Sequence, residues 1–152
     1  MSRLRRIEVA GRYFFVTTNL LKHSPPLSPS ERDICLDQID RVRTKHKFAL
    51  FAKLMRDWKS ASGFAIAKAR SKRGAIWQER YFDFILRRAR DFGNKLEYIH
   101  ANPVEATLVA RPEDWAWSSA AFYIKKDPVR IQPDVFTAPS DPNESLWPVP
   151  WR

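Results

Sequence analysis

"IWQERYFDFILRRARDFGNKLEYIHANPV", residues 76–104, changes its periodicity half-way along. The stretch "IWQERYFDFILR" is rich in aromatic and branched side chains and reads as a strand. From Ala89 onward, Phe92, Leu96 and Ile99 recur at spacings of four and three, which is one face of a helix. Pro103 biases Asn102 away from helical backbone, so the helix is expected to end there. A strand that runs into a helix allows an α+β fold, an antiparallel sheet with helices packed on it. The helix raises a question. Tyr98 lies one turn from Asn102, on the same face. A tyrosine among apolar neighbours is usually core, and here it is paired with a polar amide.

Upstream, "RYFFVTTNLL" (residues 12–21) is bounded by Gly11 and by "HSPPLSPS" and predicts another strand. Ser28-Pro29-Ser30-Glu31 has the spacing of a capping box, with proline where its missing N–H costs nothing. Cys35, Ile39, Val42 and His46 then mark one helical face. "FALFA" (48–52) reads as a short strand. A second helix follows without a turn residue, with Leu54, Trp58, Ala61, Ala65 and Ala69 at helical spacing. Gly63 weakens it and Gly74 is expected to end it. Strand-to-helix connections normally take two or more residues, so the junction at Ala52–Lys53 is unusual. From Pro112 the chain is rich in Trp and Pro. The organisation expected is one domain over 1–122 and a surface-laid tail over 123–152.

The totals exclude several classes. A chain of 152 residues, 44% hydrophobic and 29% charged, is a globular protein with room for a core. No apolar run is long enough to span a membrane. A lone Cys35 forms no internal disulfide and no Cys-type zinc site. The compartment expected is the cytoplasm.

Charge is the strongest compositional signal. The formal net charge is +10, and residues 1–76 hold 17 basic and 6 acidic side chains against 10 and 11 in residues 77–152. A positive field confined to one half suits a polyanion, because each phosphate neutralised releases a counterion. The clustered candidates for phosphate contact are Arg56, Lys59, Lys68, Arg70, Lys72 and Arg73, with Arg3, Arg5 and Arg6 as a basic arm able to enter a groove.

The second half resembles the REP-associated tyrosine transposases, a branch of the single-tyrosine transposases. The residues that carry the resemblance are the aromatic "WQ" strand, an acidic residue one turn into the helix, "YIHANPV" and "RPEDWAWSS". "RRIEVAGRYFFVTTNL" is similar to the family's first strand, so the likeness covers residues 3 to 120. It implies a ferredoxin-like antiparallel sheet with helices, and DNA transposition by cleaving and rejoining single-stranded DNA beside a hairpin. The partner implied is therefore a DNA hairpin with a single-stranded flank; a homodimer stays open. The resemblance makes Tyr98 the nucleophile, forming a 5′-phosphotyrosine, and Asn102 a ligand of a divalent metal, Mg or Mn.

The chain departs from that pattern at one place. The family holds its metal with two histidines flanking one hydrophobic residue on a central strand. This sequence has His23, His46 and His100, and no two of them share that spacing. The expected reading is a sheet short of a central strand, with a segment of roughly two dozen residues missing. Phenols titrate at about 10 and are poor nucleophiles at neutral pH without help, and a metal supplies several kcal/mol of charge stabilisation to such a step. The expectation is therefore a DNA-binding protein with impaired cleavage and no metal of its own. A competent strand transferase, a non-catalytic hairpin binder and a decayed gene product stay open as alternatives.

Overall fold

Ser28 opens the first helix as its spacing predicts. The Ser28 N–H donates to Glu31 Oε2 at 2.8 Å, and the Glu31 N–H donates back to Ser28 Oγ at 3.3 Å. The computed structural model describes residues 13–46, 51–133 and 141–144. The element order is β1 (Tyr13–Thr17), α1 (Pro29–His46), α2 (Phe51–Ala69), β2 (Phe82–Leu86), α3 (Ala89–Glu105), a 3-10 turn (Pro112–Asp114) and α4 (Ala120–Lys125). β1 and β2 form an antiparallel two-stranded sheet, which with the helices gives the expected α+β class. No helix among the described residues is long and apolar enough to cross a membrane.

The chain divides into two compact units. Of the described residues, the first holds 16–46 and 51–82; the second holds 13–15, 83–133 and 141–144. In the first unit α1 packs on α2. Residues 19–21 pair antiparallel with 76–78 through a Leu20–Trp77 bridge and the bonds Leu21 N–H to Ile76 O and Gln78 N–H to Asn19 O, both 2.9 Å. This brings Trp77 onto Trp58, ring centroids 5.1 Å apart, in a core with Cys35, Val42, Met55, Ile66, Ala67 and Ile76. Both indole N–H groups are satisfied: Trp58 donates to Cys35 O and Trp77 to Ser62 Oγ, each at 3.0 Å. Ser62, fully buried, donates in turn to Trp58 O at 2.7 Å. Gly63 lies against the indole of Trp77, and a Cβ there would make an ordinary contact with Trp77 Cδ1 at 3.4 Å.

Several expectations are corrected. Residues 51 and 52 belong to α2 and not to a strand, so the abrupt junction at Ala52–Lys53 does not exist; residues 48–50 lie outside the described residues. The buried side of α1 runs through Glu31, Cys35 and Val42, and Ile39 is exposed. Glu31 faces Arg70 of the first unit, and at about 100° per residue that orientation brings Gln38, not Ile39, into line. On α2 the buried face is Met55, Trp58, Ser62 and Ile66. The expected alanines lie to one side of it, because burying Met55 and Ile66 removes more apolar area from water.

Helix ends differ as well. α2 stops before Gly74. Ser71, at φ 52°, is its left-handed cap, with Ser71 N–H to Lys68 O at 3.0 Å and Lys72 N–H to Ala67 O at 2.9 Å. α3 does not stop at Asn102. It carries Pro103 inside and closes with the same motif on Thr107 (φ 56°), through Thr107 N–H to Val104 O at 2.8 Å and Leu108 N–H to Pro103 O at 2.9 Å. Burial of the Pro103 ring, together with this closure, outweighs the local bias against helix before proline.

Candidate nucleic-acid interface

α3 belongs to the second unit and positions the candidate chemistry. Its start is capped by Asp91 Oδ2, which accepts the Arg88 N–H at 3.0 Å. Two orphan donors of the first turn are taken by a later stretch of chain, Ala89 N–H to Glu144 O at 3.2 Å and Arg90 N–H to Pro142 O at 3.0 Å. The buried line of the helix is Ala89, His100 and Pro103, with Ile99 exposed. His100 takes the place expected for Ile99 because its polarity is satisfied. Its Nε2 lies 3.0 Å from Ser119 Oγ and its ring 5.6 Å from that of Tyr123. Burial holds its pKa below the ordinary 6.5. His100 is thus a core histidine, turned away from Tyr98.

Tyr98 and Asn102 are both exposed, one turn apart. Tyr98 is not plain core: half its surface is open, and its ring meets Phe15 of β1 edge-to-face at 5.9 Å. Tyr13 meets Phe92 in the same way at 6.2 Å, so α3 lies across the face of β1 that carries Tyr13 and Phe15. Lys95, one turn before Tyr98, was not singled out from the sequence. Its Nζ sits 4.9 Å from the Phe15 centroid and 5.6 Å from those of Phe84 and Tyr98. Spacing along α3 makes Lys95 a neighbour of Tyr98, but the rings of Phe15 and Phe84 come from strands distant in sequence.

The residues around Tyr98 do not fit a divalent metal. Among the described residues no three His, Cys, Asp or Glu side chains converge. His100 is bonded inside, and the cation against the Tyr98 ring is the ammonium of Lys95, which repels a second cation. Asn102 offers one carbonyl oxygen, where such ions take six or more ligands.

The basic residues expected to meet phosphate fall into different settings. Lys68, Lys72 and Arg73 are exposed, on the last turn of α2 and the loop after it. Arg56 is exposed too, with Asp57 at 3.6 Å. Arg70 is nearly buried. It pairs through Nε and Nη2 with the Glu31 carboxylate and reaches the carbonyls of Pro25 and Pro26 at 3.3 and 3.4 Å. The Arg70 guanidinium, aided by the Ser28 N–H, holds the Glu31 carboxyl at about 2, well below its usual 4.5. Lys59 clamps the carbonyls of Gln78 and Glu79, the latter at 2.9 Å. Arg3, Arg5 and Arg6 lie outside the described residues.

A Haemophilus influenzae protein named a REP-associated tyrosine transposase is 38% identical over 48 residues, 32% of this chain and 27% of that protein's length. An Escherichia coli protein of the same name is 24% identical over 136 residues, covering 78% of this chain and 82% of that protein. The fold matches a solved structure of a REP-associated tyrosine transposase bound to a REP hairpin, with a TM-score of 0.68, 23% identity, and coverage of 95% of this chain and 98% of that one. The chain is a homologue of the REP-associated tyrosine transposases. No family model matches it.

Proposed function

We propose that this chain is a DNA-binding protein of the REP-associated tyrosine transposase type, which recognises a DNA hairpin with a single-stranded flank and cleaves it poorly. The observation that carries this reading is the exposure of Tyr98 and Asn102 one turn apart on α3, in a setting with no converging set of metal ligands among the described residues. The hairpin partner is supported by the solved relative, whose structure holds a REP hairpin. The exposed Lys68, Lys72 and Arg73 supply charge for phosphates. Tyr98 marks the nucleophile's position. In the family reaction the tyrosine oxygen bonds to phosphorus while the bond to the 3′-oxygen breaks, and that oxygen takes up a proton. Among the described residues no set of metal ligands converges beside Tyr98 to offset the charge that develops on the phosphate, which leaves the ammonium of Lys95 as the positive group against its ring.

The test incubates the protein with end-labelled flanked hairpin DNA and Mn²⁺, then looks for a covalent complex that survives denaturation. A band shift with at most a trace of adduct is the expected result. An abundant adduct abolished by Tyr98→Phe would show that cleavage is intact. Absence of any shift would remove DNA as the partner.

A further inference from the structure

The setting of Lys95 is unusual for a lysine. No carboxylate among the described residues pairs with it, and the neighbours of its ammonium are the rings of Phe15, Phe84 and Tyr98. Cation–π contacts at accessible sites contribute about 0.5–1 kcal/mol each and orient the charge without neutralising it. Two of the three rings are themselves open to solvent, Phe84 at 42% and Tyr98 at 49%. A large aromatic surface left exposed beside an uncompensated cation suits a ligand that is both planar and anionic. A nucleotide is such a ligand.

We propose that Lys95 and Phe84 form a binding site for one unpaired nucleotide of single-stranded DNA, with the phosphate on Lys95 and the base stacked on Phe84. This rests on the reading of the chain as a DNA binder and assigns the flank, not the hairpin stem, to this face. The reason is steric. In a duplex the base faces are buried against one another, so a side-chain ring stacks only on a base that is unpaired, and stacking tolerates any base because each has a π face. Phe15, buried in the strand behind, fixes the ammonium from below. The site also sets its cation beside the candidate nucleophile, with Lys95 Nζ 5.6 Å from the Tyr98 ring centroid.

Fluorescence anisotropy on the full chain tests it, with two labelled DNAs, a blunt hairpin and the same hairpin with a single-stranded flank. Lys95→Gln and Phe84→Leu are each expected to weaken the flanked DNA at least about fivefold and to leave the blunt hairpin within twofold. Lys95→Gln should also lower the salt slope on the flanked DNA by about 0.7. Lys95→Arg, which keeps the charge, should restore both, and circular dichroism identifies any variant that fails to fold. Equal affinities of wild type and Lys95→Gln for the flanked DNA would overturn the site while leaving hairpin binding intact. So would an equal loss on both DNAs. A wild-type chain that binds neither DNA would overturn the underlying reading, and the site with it.

Discussion

At Glu31 a single carboxylate serves two structures: it completes the N-terminal box of α1 and pairs with Arg70 just past α2. A carboxyl held at about 2 in the fold and 4.5 otherwise binds fewer protons folded than unfolded between those values. Its stabilisation is therefore present above about pH 5 and is lost as pH falls toward 2; the difference is on the order of 3 kcal/mol. Glu31→Gln strands a nearly buried guanidinium and should cost about 3 kcal/mol at neutral pH in urea denaturation, with little further loss on acidification. If the variant kept the wild-type acid sensitivity, the pair would not be its source. Arg70 illustrates what the sequence hides. Among clustered cations, nothing local separates one that meets solvent from one folded onto a helix cap. Cys35 is a second buried group, its thiol pushed up to about 11 first by desolvation and then by the Glu31 charge. Thiol reagents should modify it only as the first unit opens, so its rate should follow urea concentration.

Elements were more legible than their orientations. The capping box, both strands and the body of α3 follow from residue types at short range. The faces do not, because one polar residue with a private partner rotates the whole pattern: Glu31 with Arg70 on α1, His100 with Ser119 on α3. The ends of α2 and α3 were misplaced because Ser71 and Thr107 take the left-handed conformation that glycine usually occupies. For Thr107, a branched side chain, that conformation is costly. Thr107→Gly should stabilise the protein by about 1 kcal/mol, and Ser71→Gly by less, in thermal or urea melts. No gain at Thr107 would mean that its hydroxyl bond to Ala106 O, 2.8 Å, offsets the strain. At the candidate site, Tyr98 with Asn102 was legible from spacing. Lys95 was not, because its meaning comes from rings on two strands distant in sequence.

Over the molecule as a whole, acid acts on the two units at different pH. His100, in the second unit, is buried with its pKa below 6.5, so the unfolded chain binds a proton more readily. Its neutral form stabilises above about 6.5, and that contribution is lost as pH falls through the lowered folded value. Hydrogen exchange should therefore show α3 and α4 loosening first on acidification and α1 and α2 only below about pH 5. The reverse order would contradict the assignment. Salt dependence is the other whole-molecule property. Neutralising Lys68, Lys72 and Arg73 together should lower the slope of log affinity against log salt by about two to three, without loss of fold, since all three side chains are exposed. Including Arg70 in that set would confound binding with stability.

The stacked indoles of Trp58 and Trp77 make the first unit optically self-reporting. Two chromophores 5.1 Å apart and inclined by 34° share their excitation, and both are shielded from water, each 7–8% exposed. The pair should give a near-ultraviolet dichroism couplet and short-wavelength emission that vanish together when the segment carrying Trp77 separates from α2. Trp115 and Trp117, 5.0 Å apart in the second unit, would remain as a separate, more solvent-quenched background. A single tryptophan-to-phenylalanine change at position 77 would then abolish the couplet and leave an unlabelled way to watch one half of the protein come apart.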